Sequence, residues 1–241
     1  MTHTKEIIKI YQKKDIAKTF DNKRNIYSFQ KYKHKIESNF LKKAILGISS
    51  KNIKILDIAC GTGRMLPEVF SVRKDIEYFG VDSSKEMTNL LKEKAKKINI
   101  EKRVKIKIAD ASKLPFKDNE FDLVYTYHLL WHIPKENQEK IIKEMFRVTK
   151  KNGIIIFDVL NKNFIYEKIK KFLKIKKTEG IHKLSISDIK KIIGDKNHKI
   201  EKLSDFPIKN SFLYSIFNLK NKFRKILPKN LFHMIFFKIK K

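Results

Sequence analysis

Cysteine, proline and glycine are scarce in this chain of 241 residues, which has one Cys, five Pro and seven Gly. A single cysteine excludes an internal disulfide. The chain has no internal repeat and no linker rich in Pro, Gly or Ser, and its length suits one α/β domain with a full core. We therefore expect a single domain over 1–241, with a helical cap at 1–47, a ligand-binding core at 48–160 and a second half at 161–241.

Long apolar runs are absent as well. No stretch reaches the ~18 apolar residues of a membrane-spanning helix. Residues 1–12 alternate charged and apolar side chains, without the apolar segment of a secretory signal. The sequence therefore predicts a cytoplasmic protein with no transmembrane segment.

Acidic side chains are few, because 26 Asp and Glu stand against 56 Lys and Arg, a formal net charge of +30. Such an excess can attract nucleic acid or an anionic membrane surface. The lysines, however, are spread along the whole chain beside many Ile and Asn. This spread favours a compositional bias over one binding face, so nucleic acid is kept as a partner that is not favoured.

The most informative stretch is 53–64, where an apolar run ends in Asp57 and is followed by Gly61 and Gly63. The run predicts a buried strand of a parallel sheet. The glycines permit positive φ and the close approach of a ligand to the backbone, and a helix pattern follows from Arg64. Strand, glycine loop and helix in this order are typical of a Rossmann-type ligand site.

Two details separate this loop from a dinucleotide site. Leu66 stands where a dinucleotide fingerprint needs a third small residue. Asp57 suits a ligand with an amino group and no phosphate. A second acid, Asp82, ends the next apolar run, at a spacing that fits a carboxylate binding ribose hydroxyls.

Four motifs in order resemble those of the class I S-adenosylmethionine (SAM)-dependent methyltransferases, in particular the type 11 group that includes the ubiquinone and menaquinone methyltransferases. The first motif is 57–64, with Ala59 where glycine is commoner, and the second is 80–82. The third is 109–124 and the fourth is 144–153. A lone Gly-x-Gly would be a weak signal, whereas the ordered set is specific.

The resemblance implies an α/β, Rossmann-like fold. Its seven-stranded, mostly parallel sheet would have the order 3-2-1-4-5-7-6, with helices on both faces and an N-terminal helical extension. The hydrophobic patterns predict strands at 53–58, 76–81, 104–108, 121–127, 153–160, 199–206 and 231–239. Helices are expected at 5–19, 28–46, 134–149, 187–193 and 211–227, and after Asp82 behind a capping box formed by Ser83 and Glu86.

The resemblance also implies SAM as the cofactor and S-adenosylhomocysteine (SAH) as the product. Asp57 and the glycine backbone would hold the amino-acid end, Asp82 the ribose hydroxyls, and Asp110 the adenine amino group. Taken singly, Asp82 and Asp110 could equally be turn or N-cap residues. The cofactor-binding candidates are Tyr11, Arg24, Tyr27, Asp57, Ala59, Cys60, Gly61, Gly63, Arg64, Asp82, Ser83, Met87, Asp110, Ala111 and Tyr127.

Candidates for catalysis follow the fourth strand. They are Tyr127, His128 and His132, and His182 is a weaker one. Because histidine titrates near pH ~6.5, His132 could act as a general base for a hydroxyl acceptor; helix capping or packing is the alternative. No metal site is expected.

We therefore expect transfer of a methyl group from SAM to a small-molecule acceptor, amphiphilic acceptors included. The alternatives are an RNA methyltransferase, a SAM-binding paralogue without catalysis, and a dinucleotide oxidoreductase. The basic insertion at 161–184 and the helix at 211–227 combine apolar and basic residues. Together they suit an apolar acceptor tail or peripheral contact with an anionic membrane.

Overall fold

The structure is a computed structural model that describes residues 28–164, 172, 180–194, 199–205 and 234–241. The predicted helices at 5–19 and 211–227 and most of the basic insertion lie outside these residues. So do Tyr11, Arg24 and Tyr27. Within the described part, no helix combines the length and the apolar character that crossing a membrane requires.

Seven strands form one sheet in the order β3-β2-β1-β4-β5-β7-β6. The strands are β1 (Ile53–Ile58), β2 (Ile76–Asp82), β3 (Val104–Ile108), β4 (Phe121–Thr126), β5 (Thr149–Leu160), β6 (Lys199–Asp205) and β7 (Met234–Lys240). β1 to β5 pair in parallel, whereas β7 runs antiparallel to both β5 and β6. The predicted order and the mostly parallel sheet are confirmed.

Both faces of the sheet are buried. Successive side chains of a strand point to opposite faces, so neighbouring residues of one strand belong to different halves of the core. In β1, Ile53 and Ile55 belong to one core cluster, whereas Leu56 and Ile58 belong to the other. The apolar runs are therefore continuous rather than alternating, as expected for central parallel strands. The exception is β3 at the edge, where Lys105 and Lys107 are exposed.

In the part of the chain that the structure describes, five helices cover the two faces. They are α1 (Ser28–Leu46), α2 (Leu66–Phe70), α3 (Lys85–Lys97), α4 (Lys135–Val148) and α5 (Ile186–Ile193). Apolar residues of α1, α2 and α3 join the cluster that contains Ile53, and those of α4 and α5 join the cluster that contains Leu56. Helices on both faces are thus confirmed, and α1 confirms the described part of the N-terminal extension.

The starts of two helices differ from the predictions. α3 begins at Lys85 behind Ser84, whose hydroxyl accepts from the Met87 N–H, so the predicted cap at Ser83 is wrong. The reason is that Asp82 accepts a hydrogen bond from the Ser84 N–H and prolongs the turn by one residue. α2 begins at Leu66 rather than at Arg64, since a turn first closes between the Leu66 N–H and the Gly63 carbonyl at 3.1 Å.

Strand bounds also differ. β5 begins at Thr149, directly after α4, rather than at Gly153. The described part of the last strand is Met234–Lys240, and the predicted residues 231–233 lie outside the described part of the chain. None of these differences moves the carboxyl ends of β1, β2 and β4, which lie along one edge because the three strands are parallel neighbours. In open parallel sheets this edge is where ligands bind.

Candidate functional site

The loop after β1, here called the glycine loop (59–65), has a left-handed backbone at three positions. Ala59 has φ 57°, Gly61 has φ 54° and Gly63 has φ 71°. At Gly63 a Cβ would also lie 2.8 Å from Leu91 Cγ, so both the positive φ and the lack of space for a side chain favour glycine. Ala59 adopts a conformation that costs a residue with a Cβ roughly 1–2 kcal/mol, which explains why glycine is commoner there in the resembled family.

Asp82, at the end of β2, fastens the glycine loop to the start of α3. Its Oδ2 accepts from the Gly61 N–H at 2.8 Å and its Oδ1 accepts from the Ser84 N–H at 2.9 Å. Burial raises the pKa of Asp82, although these backbone donors oppose the rise. A carboxylate has about four lone-pair positions, so Asp82 keeps capacity to accept from a ligand, and the predicted contact with ribose hydroxyls stays a prediction.

A cavity of about 420 Å³ lies beside the ends of β1, β2 and β3. Its volume is within the usual range for ligand pockets, and its lining is mostly apolar. The lining residues are Ala59, Val81, Asp82, Ser83, Ile108, Ala109, Asp110, Ala111, Ser112, Leu129, Ile133, Asn137 and Ile141. Five predicted cofactor residues, dispersed in the sequence, thus meet at one cavity: Ala59, Asp82, Ser83, Asp110 and Ala111.

Asp57 is buried beneath the glycine loop between two tyrosines from the strands on either side. Its Oδ2 accepts from the hydroxyl of Tyr78 at 2.7 Å and from that of Tyr125 at 2.6 Å. Burial raises the pKa of Asp57 to about 7, although both hydrogen bonds lower it. Sequence analysis missed the two tyrosines, because only the strand register places them around this carboxyl.

Cys60 and Met87 are core residues at the rim of the site. The Cys60 N–H donates to the Val81 carbonyl at 3.0 Å, and burial raises the pKa of its thiol well above the usual value. Met87 is buried in the first turn of α3. Both side chains therefore shape the site through packing, and direct contact of either with a cofactor stays a prediction.

Arg64, the last residue of the motif 57–64, points its guanidinium at α1. Its NH1 lies 2.7 Å from Glu37 Oε2 and 2.7 Å from His34 Nδ1. Glu37 is fully buried, and its Oε1 lies 2.6 Å from His128 Nε2. Burial alone would raise the pKa of Glu37, but its neighbours His128, Arg64 and Lys33 outweigh burial and hold it well below the usual range. Glu37 is therefore a permanently ionised carboxylate inside the protein.

The turn after β4 (127–132), here called the β4 turn, is fixed to the same carboxylate. The Tyr127 hydroxyl donates to the Glu37 carbonyl at 3.1 Å. His128 has φ 64°, and its Nδ1 lies 3.4 Å from Lys33 Nζ. Burial lowers the pKa of His128 to about 3, although Glu37 opposes this, so the ring is neutral at physiological pH. Both ring nitrogens have protein partners, which favours a positioning role over a catalytic one.

Asp158 in β5 was not predicted as a site residue. Its Oδ1 accepts from the His128 N–H at 2.7 Å, whereas its buried Oδ2 has no hydrogen-bond partner among the residues that the structure describes. Burial raises the pKa of Asp158 to about 6, although Lys33 opposes the rise. Asp158 is the single acid of an otherwise apolar run, and this was the signal that could have identified it.

Trp131 and His132 lie at the outer end of the β4 turn. Lys33 Nζ lies 4.8 Å from the centroid of the Trp131 ring, and the ring centroids of His128 and Trp131 are 5.5 Å apart. The ring centroids of His132 and Trp131 are 5.2 Å apart, and the backbone N–H of His182 donates to the Trp131 carbonyl. Three predicted histidines thus gather around one tryptophan, and a proton-accepting role for His132 stays a prediction.

A family model described as "Methyltransferase domain" matches residues 56–157. The match begins in β1 and ends in β5, so it includes the glycine loop, the cavity and the β4 turn. The chain carries a class I methyltransferase domain. The predicted family is therefore confirmed, and the dinucleotide oxidoreductase alternative is wrong.

Curated relatives of this methyltransferase domain are similar over part of their length. Demethylmenaquinone methyltransferase of Staphylococcus aureus (strain MRSA252) is 33% identical over 152 residues, which are 63% of this chain and 58% of that protein. Sterol 4-C-methyltransferase of Caenorhabditis elegans is 34% identical over 115 residues, which are 47% of this chain and 33% of that protein. The match thus spans less than two thirds of either relative.

Solved structures of methyltransferases share the fold over nearly the whole chain. Magnesium protoporphyrin IX methyltransferase of Synechocystis PCC 6803, solved with bound SAM, has a TM-score of 0.68 at 15% identity, covering 100% of this chain and 98% of that one. A sarcosine dimethylglycine methyltransferase from Galdieria sulphuraria has a TM-score of 0.61 at 12% identity, covering 88% and 86%. At such identities the likeness shows the fold, and it agrees with the predicted fold class.

Proposed function

We propose that this protein transfers a methyl group from SAM to a small-molecule acceptor. The observation that carries the proposal is the convergence on one cavity of the glycine loop and the carboxylates that end β2 and follow β3. Asp82 holds the Gly61 N–H, and Asp110 accepts from the Ser112 N–H at 2.7 Å, so both acids are fixed by their own loops. Adenosine fits such a cavity, because the flat faces of its adenine ring suit the apolar walls and its hydroxyl and amino groups suit the carboxylates at the rim.

Each loop has a distinct task in this proposal. Asp57 and the glycine loop hold the amino-acid end of the cofactor, Asp82 binds the ribose hydroxyls, and Asp110 with the Ala111 N–H binds the adenine. When bound, SAM supplies a methyl group that is already activated by its sulfonium. The protein therefore needs to orient an acceptor in line with that methyl group and to exclude water.

The acceptor would enter beside the β4 turn, under α1. If it presents an O–H or N–H group, two side chains could take the released proton. One is His132, and the other is Asp158, whose Oδ2 has no partner in the described part of the chain. The relatives support an amphiphilic acceptor, since their names refer to demethylmenaquinone and to sterols.

Two measurements on the purified full chain test the proposal. Calorimetry should detect SAM and SAH with dissociation constants in the micromolar range, which corresponds to roughly −8 kcal/mol, and no heat for NAD. Release of SAH should then be assayed with a short-chain demethylmenaquinol, a sterol and total RNA as acceptors. Transfer to RNA alone would favour the RNA methyltransferase alternative. Binding without transfer to any acceptor would favour the inactive paralogue, and failure to bind SAM or SAH would overturn the proposal.

A further inference from the structure

Glu37 joins two loops that are far apart in sequence. Its Oε2 lies 2.7 Å from Arg64, which directly follows Gly63 in the glycine loop. Its Oε1 lies 2.6 Å from His128 Nε2, and its backbone carbonyl accepts from the Tyr127 hydroxyl, so the same residue also holds the β4 turn. The residue therefore stands between the proposed cofactor side and the proposed acceptor side.

Stability alone does not account for a carboxylate at this position. Removing a charge from water is expensive, and apolar residues of similar volume often replace a buried ion pair without loss of stability. Further along α1, Leu41, Ala44 and Ile45 fill the same face of the sheet with apolar side chains. The charge at Glu37 is thus better explained by the two partners that it fixes in place.

The contacts continue from His128 to the single tryptophan of the chain. The His128 ring packs against Trp131, with ring centroids 5.5 Å apart, and Lys33 Nζ lies both over the Trp131 ring at 4.8 Å and 3.4 Å from His128 Nδ1. A shift of Arg64 would therefore reach Trp131 through Glu37 and His128. Because the chain has one tryptophan, its fluorescence reports on this place alone.

We infer that Glu37 is a positioning residue that couples the glycine loop to the β4 turn, so that ligand binding at the loop changes the surroundings of Trp131. The inference rests on the proposed function, because it takes SAH as the ligand of the glycine loop. Coupling between two places can be carried by a chain of hydrogen bonds and ion pairs, and Arg64, Glu37 and His128 form such a chain.

The test is a titration of the full chain with SAH, followed in parallel by calorimetry and by Trp131 emission. In the wild type, SAH should change the emission with the midpoint given by calorimetry. His128→Asn removes the link on the side of Trp131. Asparagine tolerates the positive φ of this position, and it is too short to reach Glu37. We expect SAH affinity within about threefold of wild type and an emission change reduced to less than half.

Glu37→Gln keeps the size of the side chain and removes its charge. We expect weaker SAH binding, by about fivefold or more, together with a reduced emission change at saturating SAH. Glu68→Gln is the matched control, because Glu68 also pairs with a cation, Lys42, and with a histidine, His34, but at the surface end of the same cluster. Its SAH affinity and its emission change should equal those of wild type.

The outcomes separate the two proposals. SAH binding that leaves Trp131 emission unchanged in the wild type would overturn the coupling alone. So would an emission change that persists in both His128→Asn and Glu37→Gln, since the response would then be a direct contact of SAH with Trp131. Absence of SAH binding to the wild type would overturn the proposed function as well. Circular dichroism checks folding, and His128→Asn decides the question if Glu37→Gln does not fold.

Discussion

The proposed cofactor side and the proposed acceptor side of this site lie on one edge of one sheet, and they fix their charged groups in different ways. On the cofactor side, Asp82 and Asp110 accept from backbone N–H groups of loops that follow the strands, and they face an apolar cavity. On the acceptor side, Glu37 and Asp158 are buried and His128 is partly buried, and all three are held by side chains or backbone from other elements. The first arrangement depends mainly on residues at strand ends and in the loops beside them. The second forms only when a helix, a loop and two strands have packed together.

This difference predicts where substitutions are most harmful. A buried charge that loses its partner is strongly destabilising, whereas a loop carboxylate that is partly compensated by backbone donors is less so. The acceptor side should therefore dominate stability, and the cofactor side should dominate ligand affinity. Four experiments would break or sharpen this contrast.

The largest effect is expected for Glu37→Ala. The substitution leaves Arg64, whose side chain is only 21% exposed, without its carboxylate partner and His128 without an acceptor for Nε2. The free energy of unfolding should therefore fall by about 3–5 kcal/mol. Urea denaturation measures the loss. Glu68→Ala removes a half-exposed partner of Lys42 and His34 and should cost at most about 1 kcal/mol. Equal losses for the two variants would contradict the contrast.

Because the pKa of Asp57 is raised, we expect the free energy of unfolding to depend on pH. Its pKa in the folded protein, about 7, is above the ordinary value of 3.8, so the folded state binds the proton more tightly than the unfolded state. The stabilisation is full below about pH 4 and is lost as the pH rises through about 7, on the order of 1 kcal/mol per pH unit in that window. Asp57→Asn should flatten the unfolding free energy between pH 4 and 7. Parallel curves for the variant and the wild type would reject this role.

Gly63→Ala and Gly61→Ala separate crowding from backbone strain in the glycine loop. Both positions have positive φ, which costs a residue with a Cβ roughly 1–2 kcal/mol. A Cβ at Gly63 would also meet Leu91, whereas a Cβ at Gly61 would have no atom of the described residues within 4 Å. Gly63→Ala should therefore lower the unfolding free energy by about 1 kcal/mol or more beyond Gly61→Ala. If urea denaturation shows a larger loss of unfolding free energy for Gly61→Ala than for Gly63→Ala, Leu91 moves aside and its crowding contributes little.

The last prediction concerns binding rather than stability, and it is made for Asp82→Ala. Hydrogen bonds to a carboxylate contribute about 1.5–3 kcal/mol each, so SAH should bind at least tenfold more weakly by calorimetry. The control is Asp75→Ala, because Asp75 also accepts from a backbone N–H, that of Asn52, but precedes β2 at the opposite end of the strand. Unchanged affinity in a folded Asp82→Ala would refute the proposed ribose contact.

The fold and the cofactor side were accessible from sequence because their signals are local. The apolar runs mark strands buried on both faces, and the ends of these runs place Asp57 and Asp82 at the edge where ligands bind. Glycines at positions of positive φ mark the loop between them. The start of α3 was misplaced by one residue, since Ser83 and Ser84 are both good caps and only the hydrogen bond from the Ser84 N–H to Asp82 selects the second.

The amino-acid sequence, through its motifs and their resemblance to a family, thus predicted the class of protein, the order of the strands and five of the residues that meet at the cavity. Only the tertiary structure decided which polar groups pair inside it. Tyr78 and Tyr125 surround Asp57 because strand register puts them there, and Glu37 meets Arg64 and His128 because α1 packs across the ends of two strands. Periodicity predicts that a side chain is buried, but the partner of a buried charge depends on how separate elements pack.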